Sequence, residues 1–342
     1  MYDVLIVGAG PAGISAGIAA RRAGLSHLIL EKGMLVHSLY RFPTQMHFFS
    51  SSRKLEIGGV PFVSHQDKPT RLEALEYYRR VAEYWQLRIK TYEPVLRCST
   101  TPAGEHCLHT PKGSYTSRAV VVATGFYDVP RHLGISGEDL PHVKHYYDDP
   151  HPYHGQRVVV VGAANSAVDA ALETWRAGAA SVTMIVRGEE ISPRVKYWVR
   201  PDIQNRIAEG SITALFGHRP IAITPEQVVV RGKSGERSIP CDFVLALTGY
   251  QPNYPLLDAL GVPIDDDPAR TPLHDPATME TPVAGLFLCG VVAGGLATNK
   301  LYIENTRDQA LRIMARLVPA SASRGSGVLP GVPAELRGAG RG

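Results

Sequence analysis

The sequence predicts an α/β fold built from two Rossmann-like dinucleotide-binding domains, each with the three-layer ββα arrangement. A glycine-rich turn, Gly8-Ala9-Gly10-Pro11-Ala12-Gly13, opens the chain, and a related turn, Gly162-Ala163-Ala164-Asn165-Ser166-Ala167, returns midway. Each turn follows a run of β-branched residues and leads into an alanine-rich helical stretch. Two such units in one chain are typical of an enzyme that moves electrons between two nucleotides.

Length and composition support this prediction and exclude other classes. A chain of 342 residues is expected to form about two domains. Hydrophobic residues make up 44% and charged residues 20%, as in ordinary globular proteins. The net charge of +4 is spread along the chain, which argues against nucleic-acid binding, and no apolar stretch is long enough to span a membrane. The four cysteines form no C-x-x-C pair, so we expect a cytoplasmic protein without a metal site.

The elements of the first domain follow from local patterns. Residues 2–7 are predicted as a buried parallel strand, 14–23 as a helix, and 27–30 as a strand that ends at Glu31. Thr70-Arg71-Leu72-Glu73 has the pattern of a capping box, so a helix should begin there and run to about Trp85. Its predicted buried face comprises Leu72, Leu75, Tyr78 and Ala82. Three more strands are predicted at 94–98, 106–110 and 115–122, the last ending in Ala123-Thr124-Gly125.

The second domain is predicted as an insertion into the first. Residues 126–156 are rich in proline, histidine and aspartate and are predicted to cross over, and the second βαβ unit occupies 157–187. Strands within 211–247 end in a second Thr-Gly pair, Thr248-Gly249. A strand at 286–288 and a helix from about Lys300 to Leu317 complete the first domain. The predicted domains are therefore 1–126 with 250–318, and 127–249, followed by a disordered tail at 319–342.

The first glycine turn is predicted to bind a pyrophosphate. Gly8 permits the tight bend, Gly10 lets the backbone approach the ligand, and Gly13 lets the helix pack on the strand. The helix then offers free N–H groups and a partial positive charge. Glu31 follows Gly8 by 23 residues, where a carboxylate can accept hydrogen bonds from a ribose diol. The long segment 36–52 comes next and is expected beside the reactive ring of the dinucleotide.

The second turn is predicted to bind NADPH in preference to NADH. Arg187 ends the strand after this turn, where an NAD site would place an acidic residue. Together with Arg194 and Lys196 it favours the 2′-phosphate through charge-assisted hydrogen bonds, although Glu189 and Glu190 follow at once. The predicted NADPH-binding residues are Gly162, Ala163, Ala164, Asn165, Ser166, Arg187, Arg194, Lys196 and Gly249.

Catalytic residues are harder to assign from the sequence. Cys289 precedes Gly290, near the expected position of the cofactor, and His145 belongs to the crossover segment. These two side chains are the candidates for thiol and proton chemistry. Cys98 and Cys107 lie symmetrically about the turn at 102–104, which leaves open whether they are cross-strand neighbours or unrelated thiols.

Residues 1 to about 318 resemble the two-domain flavoprotein disulfide reductases of the thioredoxin-reductase type, but 127–249 holds a single cysteine, Cys241, in place of that family's dithiol. The chain is more similar to the bacillithiol-disulfide reductase family. The motifs that carry this resemblance are Phe48-Phe49-Ser50-Ser51-Ser52, Lys54-Leu55-Glu56-Ile57-Gly58, Gly137-Glu138-Asp139-Leu140-Pro141, Asn165-Ser166, Val168-Asp169-Ala170-Ala171, Thr248-Gly249-Tyr250, Gly290-Val291 and Ile303-Glu304-Asn305.

The resemblance implies FAD on the first domain, NADPH on the second, and reduction of an oxidised low-molecular-weight thiol by NADPH. It also implies a small disulfide or a small redox protein as the acceptor, and a homodimer or higher homo-oligomer. The family carries a cysteine in the first glycine turn, and this chain has Ala12 there. The residues expected to bind FAD are Gly8, Gly10, Pro11, Ala12, Gly13, Glu31, Lys32, His47, Val95, Ala123, Thr124, Gly125, Gly290 and Val291.

Two other functions remain open at this point. A ferredoxin- or flavodoxin-NADP reductase would use the same cofactors, also lacks the C-x-x-C pair, and would need an electropositive face for an acidic carrier. A nucleotide-binding redox sensor without turnover is compatible with the alanines that replace glycines in both turns.

Overall fold

The computed structural model describes residues 1–298 and 300–318, so the predicted disordered tail at 319–342 lies outside the described residues. Contacts divide the chain into two units. The first comprises Met1–Arg41, Ser50–Val129 and the described residues from Gln251 onward. The second comprises Phe42–Phe49 and Pro130–Tyr250. Within the two described ranges, no helix combines the length and the apolar character that a membrane crossing requires.

The first unit begins with a parallel sheet whose strands alternate with helices. Its elements, up to the first crossing between units, are β1 (Tyr2–Val7), α1 (Pro11–Arg22), β2 (His27–Leu30), α2 (His37–Tyr40), α3 (Ser52–Leu55), α4 (Arg71–Tyr84), β3 (Ile89–Lys90), β4 (Arg97–Thr100), β5 (His106–Thr110), β6 (Gly113–Val122) and β7 (Val129–Pro130). The predicted strands at 2–7 and 27–30 are confirmed at both ends. The sheet order is β3-β2-β1-β6-β5-β4.

Strand β6 joins two kinds of sheet because it is ten residues long. Its second half pairs in parallel with β1, in the register Val7↔Val122. Its first half pairs antiparallel with β5, which pairs in turn with β4. One continuous strand thus carries both the nucleotide-binding sheet and the predicted three-stranded insertion.

The second unit contains a parallel sheet and a separate antiparallel sheet. Its elements are β8 (Val143–Lys144), β9 (Arg157–Val161), α5 (Asn165–Arg176), β10 (Ser181–Val186), α6 (Arg200–Ala208), β11 (Thr213–Phe216), β12 (Arg219–Ile223), β13 (Gln227–Gly232), β14 (Gly235–Pro240), β15 (Phe243–Ala246) and β16 (Tyr250–Gln251), which ends in the first unit. The parallel order is β11-β10-β9-β15-β8, and β12-β13-β14 form the antiparallel sheet. The second βαβ unit therefore forms where the sequence predicts it.

The chain completes the first unit with α7 (Tyr254–Ala259), β17 (Leu286–Leu288), α8 (Ile303–Thr306) and α9 (Gln309–Leu317). Strand β17 adds to β6 in parallel, as its position at 286–288 predicts. The single helix predicted from Lys300 to Leu317 is wrong, because the structure interrupts it at Arg307–Asp308. The guanidinium of Arg307 donates to the carbonyl oxygens of Lys54 (3.2 Å) and Glu56 (2.8 Å), which anchors the break.

The local sequence pattern predicts the start of helix α4 correctly but predicts its buried face only in part. The predicted capping box is confirmed: the side chain of Thr70 accepts from the Glu73 N–H, and Glu73 accepts from the Thr70 N–H. The predicted face is partly wrong, because Leu72 is 70% exposed. The buried residues of this helix are Ala74, Tyr77, Tyr78, Val81 and Ala82. The buried face therefore includes Tyr78 and Tyr77. Their hydroxyls donate to the carbonyl oxygens of residues 55 and 60, respectively.

Residues 42–49 depart from the predicted domain assignment. The sequence places them in the first domain, whereas their contacts group them with the second unit. The Thr44 N–H donates to the Asp148 carbonyl (2.8 Å), and the Thr44 hydroxyl donates to the Asp149 carboxylate (2.8 Å). The ring of Phe49 stacks on Trp198 with 5.5 Å between centroids. His47 lies in this segment and thus belongs to the second unit.

Candidate functional site

The first glycine turn has the shape that a pyrophosphate requires. Gly8 has φ of +104°, and a Cβ there would lie 2.7 Å from the Ala123 carbonyl oxygen. A Cβ on Gly13 would overlap the Gly8 carbonyl oxygen, so both residues are needed by the fold itself. Gly10 differs, because a Cβ there meets no described atom within 4 Å. Its missing side chain leaves open space in front of the turn.

The same turn presents the start of helix α1 to that open space. The helix begins at Pro11 after the N-cap residue Gly10, and among the described residues no side chain caps it or adds an acidic group to its first turn. Proline has no N–H to satisfy, so Ala12 and Gly13 provide the first free donors. Free N–H groups and the positive end of the helix dipole favour a bound anion.

Glu31 connects this turn to the end of strand β2. Its carboxylate is buried and accepts hydrogen bonds from the N–H groups of Ala9 (2.7 Å) and Gly33 (2.9 Å). Each carboxylate oxygen keeps a second acceptor position. Glu31 can therefore hold the turn in place and still receive a ribose hydroxyl. The neighbouring Lys32 forms an ion pair with Asp128 (2.8 Å).

The motifs after β6 and β17 converge on this edge of the sheet. Thr124 lies beside Gly8, and its hydroxyl oxygen is buried without a hydrogen-bond partner among the described residues. Gly125 and Val291 are neighbours, since a Cβ on Gly125 would lie 3.8 Å from the Val291 side chain. The Gly290 N–H donates to Gln309 (2.7 Å). A buried hydroxyl without a protein partner beside an open turn fits a ligand that would supply that partner.

Three further residues of the first unit complete the description: Val95, which the sequence predicts to bind FAD, and Val36 and His37, which are not among the predicted binding residues. Val95 packs in the hydrophobic core of the first unit and is 7% exposed. His37 is absent from the predicted site, but its Nδ1 is buried without a partner in the described structure and faces Gly33. Val36, just before it, has a left-handed φ of 49°, which is costly for a β-branched residue. No sequence spacing signals either feature.

The second glycine turn is built on the same plan. Gly162 has φ of +139°, and a Cβ there would lie 2.6 Å from the Leu247 carbonyl oxygen. Helix α5 starts at Asn165 after Ala164, again without a side-chain cap among the described residues, and the exposed Ser166 follows. The turn Thr248-Gly249 comes directly after Leu247, which places Gly249, with φ of +97°, at the same edge. The Ala163 carbonyl accepts from the Ser192 N–H (3.0 Å).

Asn165 ties the loop that carries Arg194 to the second turn. Its side-chain amide donates to the Arg194 carbonyl (3.3 Å), and its carbonyl oxygen accepts from the Lys196 N–H (2.9 Å). Arg187 directly follows β10, which pairs with β9 in parallel, so it lies at the sheet edge where both strands end. The Arg194 backbone is held beside the start of α5, and both arginine side chains are exposed.

The acidic residues near Arg187 and Arg194 form ion pairs with other cations, so both guanidinium groups can bind a phosphate. Glu189, which follows Arg187 closely, pairs with Lys233 (3.2 Å), and Glu190 pairs with Arg200 (3.4 Å). Within the described part of the chain, neither Arg187 nor Arg194 has an ion-pair partner. The two glutamates therefore do not neutralise the arginines, which removes the argument that the sequence offered against a phosphate at this position.

Lys196 does not take the place that the sequence suggests. Its side chain is 10% exposed, and its ammonium pairs with Asp169 on helix α5 at 2.8 Å. A buried ammonium committed to a carboxylate is poorly placed to receive a coenzyme phosphate. The correction follows from the loop after β10, which turns Lys196 inward and leaves Arg194 outside.

We expect the Lys196→Met substitution to lower the stability of the second unit and to leave its coenzyme preference unchanged. Methionine keeps the buried stem but leaves the Asp169 carboxylate without a partner, at a cost of ~3 kcal/mol. Thermal unfolding and the ratio of NADPH to NADH turnover measure the two effects. Lys233→Met is the control, because its exposed ion pair should contribute little. A changed ratio of NADPH to NADH turnover in Lys196→Met would show that Lys196 does bind the coenzyme.

Cys289, the first catalytic candidate, is sealed in the core of the first unit. It is 1% exposed, and its thiol points to the Ala12 carbonyl at 3.8 Å. Burial raises the pKa of the Cys289 thiol to about 12, so the thiolate that a disulfide exchange needs is not formed near neutral pH. The structure therefore supports a packing role for this residue.

We expect Cys289→Ala to keep turnover within about twofold of the parent, because the thiol takes no part in the reaction. The variant should lose about 1 kcal/mol of stability, as for the removal of a small buried apolar group. Steady-state assays and chemical unfolding test both expectations. Abolished turnover in a folded, FAD-loaded variant would contradict the assignment.

The remaining candidates are placed as follows. In the β4–β5 hairpin, Cys98 pairs with Leu108, and Ser99 pairs with Cys107. Successive residues of a strand point to opposite faces, so Cys98 and Cys107 are not cross-strand partners. All four cysteines are free. His145 lies in the second unit near Glu138 (3.7 Å), and burial together with the nearby His132 lowers its pKa.

Comparison with known proteins gives consistent results. Residues 5–290 match the family model described as pyridine nucleotide-disulphide oxidoreductase. The chain is 43% identical over 316 residues to the bacilliredoxin reductase Bdr of Bacillus subtilis (strain 168), covering 92% of this chain and 96% of the relative. It is 27% identical to a ferredoxin–NADP reductase of Ignicoccus hospitalis, covering 85% and 90%. A solved bacillithiol disulfide reductase, Bdr, from Staphylococcus aureus has a TM-score of 0.89 and 37% identity, covering 92% and 97%.

Proposed function

The chain belongs to the pyridine nucleotide-disulphide oxidoreductase family and, within it, to the bacillithiol-disulfide reductases; on that premise we propose that it uses NADPH and FAD to reduce bacillithiol disulfide. The observation that carries the proposal is the pair of open glycine turns, each at the uncapped start of a helix. One turn receives FAD and the other NADPH. The overall reaction converts NADPH, a proton and one disulfide into NADP⁺ and two thiols.

The residues of the first unit fit FAD. Gly10 leaves open space, the start of α1 supplies donors, Glu31 retains acceptor positions, and the Thr124 hydroxyl lacks a partner among the described residues. In this assignment the Ala12 and Gly13 N–H groups bind the pyrophosphate and Glu31 orients the ribose. When bound, FAD would supply the two-electron redox chemistry that links NADPH to the disulfide.

The residues of the second unit bind and orient NADPH. The start of α5 receives its pyrophosphate, while Arg187 and Arg194 receive the 2′-phosphate through charge-assisted hydrogen bonds. Since the chemistry belongs to the cofactor, the protein contributes position and electrostatics. Correct positioning alone can account for several kcal/mol of the barrier, roughly up to 7–11 in favourable cases.

In this proposal the cysteines do not carry electrons from the cofactor to the acceptor. Cys289 is sealed, burial raises the pKa of Cys241 to about 11, and burial also raises the pKa of Cys98. Ala12 occupies the position of the family cysteine, and its Cβ lies against Gly290. We therefore assign the reduction of the acceptor to the bound cofactor without a protein dithiol. Four free cysteines also fit a reducing compartment, so we assign the protein to the cytoplasm. We propose a homo-oligomer because the family resemblance implies one.

An acceptor comparison tests the proposed function. NADPH oxidation by the FAD-loaded protein is followed with bacillithiol disulfide, with ferredoxin coupled to cytochrome c, and with neither acceptor. We expect turnover with the disulfide that clearly exceeds both other rates. The Ala12→Cys variant is compared in parallel, because it restores the family thiol in the same turn.

The outcomes separate the candidate functions. If only Ala12→Cys reduces the disulfide, this chain reduces another acceptor. Cytochrome reduction that depends on ferredoxin would favour a ferredoxin–NADP reductase, which the similarity to the Ignicoccus hospitalis enzyme makes the second candidate. A chain that binds both nucleotides without turnover on any acceptor would be a sensor.

A further inference from the structure

Three side chains of the second unit meet where the sequence indicated no metal site. They are His132, Glu138 and His145, whose potential ligand atoms all lie within 4.8 Å of one another. His132 Nδ1 is 3.5 Å from Glu138 Oε1, and His145 Nε2 is 3.7 Å from the same oxygen. The two imidazole rings meet edge to face, with 4.8 Å between centroids. One carboxylate oxygen thus faces two imidazole nitrogens.

The backbone holds Glu138 firmly in this position. Its two carboxylate oxygens accept from the N–H groups of Leu133 (2.5 Å) and Gly134 (2.7 Å). Gly137, just before it, has φ of +83°, and a Cβ there would overlap the Ile223 carbonyl oxygen. The Ile223 N–H donates to the Ser136 carbonyl at 2.8 Å, which fastens the loop to β12. The acidic ligand is therefore preorganised, whereas the exposed His132 can adjust.

The distances decide whether one ion can reach all three residues. Two ligand atoms bound to one zinc ion at ~2.1 Å each can be no more than ~4.2 Å apart. The separations of 3.5 and 3.7 Å already satisfy this limit. The two imidazole nitrogens lie within 4.8 Å of each other, whereas a tetrahedral zinc ion holds two such ligands ~3.4 Å apart. The 53% exposed side chain of His132 can rotate to close this difference of up to ~1.4 Å.

We propose that His132, Glu138 and His145 bind one divalent transition-metal ion of the zinc class. Two imidazoles and one carboxylate are a donor set that zinc accepts, and the exposed side of His132 leaves the fourth position to water. The spacing H-x5-E-x6-H matches no short zinc motif, so the sequence alone does not indicate the site. It becomes visible only when the loop brings residues 132 and 145 together.

The site lies against the turn that precedes the return to the first unit. The Arg131 N–H, adjacent to His132, donates to the Gly249 carbonyl at 2.9 Å. The Tyr250 hydroxyl donates to the His145 carbonyl at 3.3 Å. A bound ion would therefore link the backbone around residue 132 to the backbone around residue 145. These are the two segments that form hydrogen bonds with residues 249 and 250. No part of the assigned nucleotide chemistry requires the ion.

Zinc binding to the untagged, FAD-loaded protein tests the proposal. The protein is incubated with zinc chloride, passed over a desalting column, and analysed for zinc by mass spectrometry, while isothermal titration gives the affinity. We expect one zinc ion per chain. His132→Ala should weaken binding at least ~10-fold, since even outer-sphere changes commonly cost 10–100-fold. His151→Ala is the matched control, because His151 is an exposed histidine of the same segment outside the cluster.

The outcomes are unambiguous because His132 is exposed and its replacement should not disturb folding. Retained FAD and NADPH oxidation by the variants verify that they are intact. Zinc absorption spectroscopy of the parent should show two imidazole ligands. No stoichiometric zinc in the parent would overturn the proposal. Equal affinities in the parent and His132→Ala would overturn it as well, as would an equal loss in the His151→Ala control.

Discussion

The Gly10→Thr substitution should remove most of the bound FAD while the polypeptide keeps its fold. Gly10 has an ordinary extended conformation, and nothing described lies within 4 Å of its missing Cβ. Threonine and glycine are comparable N-cap residues, so helix α1 should tolerate the change. The added side chain occupies the space assigned to the pyrophosphate. Overpacking of this kind costs about 1–3 kcal/mol, which corresponds to ~5- to ~150-fold weaker FAD binding.

The flavin-to-protein absorbance ratio and titration of the apoprotein with FAD measure this effect, and apoprotein unfolding measures stability. Ala103→Thr is the control, because it adds the same atoms at an exposed turn of the same unit. Gly13→Ala should behave differently and destabilise the apoprotein, since its Cβ overlaps the Gly8 carbonyl. Undiminished FAD binding by Gly10→Thr would mean that the cofactor does not approach this turn.

The second large effect concerns coenzyme choice. We expect Arg187→Ser to lower kcat/KM for NADPH ~10- to ~150-fold and to leave kcat/KM for NADH nearly unchanged. The magnitude is that of one hydrogen bond to a charged group, about 1.5–3 kcal/mol. The reason for the selectivity is that only NADPH carries the 2′-phosphate that the guanidinium receives. Steady-state kinetics with both coenzymes measure the change.

Arg219→Ser serves as the matched control, since Arg219 is an exposed arginine of the same unit on strand β12. Its replacement alters the net charge equally but should affect neither coenzyme. If Arg187→Ser lowers kcat/KM for NADPH and for NADH equally, Arg187 supports the fold of the site and does not bind the 2′-phosphate. If it changes neither, Arg194 alone accounts for any preference.

Short-range patterns predicted much of the fold. Strands at 2–7, 27–30 and 286–288, the capping box at Thr70 and both glycine turns form where the sequence indicates. These features depend on a few neighbouring residues, whose sterics and hydrogen bonds act in any context. The face of α4 and the break before α9 depend on distant partners instead. Leu72 turns outward, and Arg307 reaches the carbonyls of 54 and 56.

The same distinction applies to the sites. Gly8, Gly13 and Gly162 have roles that their own backbone angles and close contacts require, so a motif reveals them. Lys196 and Arg194 are two residues apart, and the sequence cannot show that one turns inward to Asp169 while the other stays exposed. Likewise, only the folded loop brings His132 to Glu138. Side-chain direction after a loop is set by tertiary contacts that no local pattern records.

We propose that the first unit holds FAD and the second holds NADPH, so that bound FAD would link NADPH oxidation to the reduction of a disulfide. An anaerobic titration of the purified protein tests it most directly. We expect one equivalent of NADPH to bleach the flavin absorbance and bacillithiol disulfide to restore it. A protein that neither retains nor takes up FAD, or whose flavin keeps its colour in excess NADPH, would contradict the account.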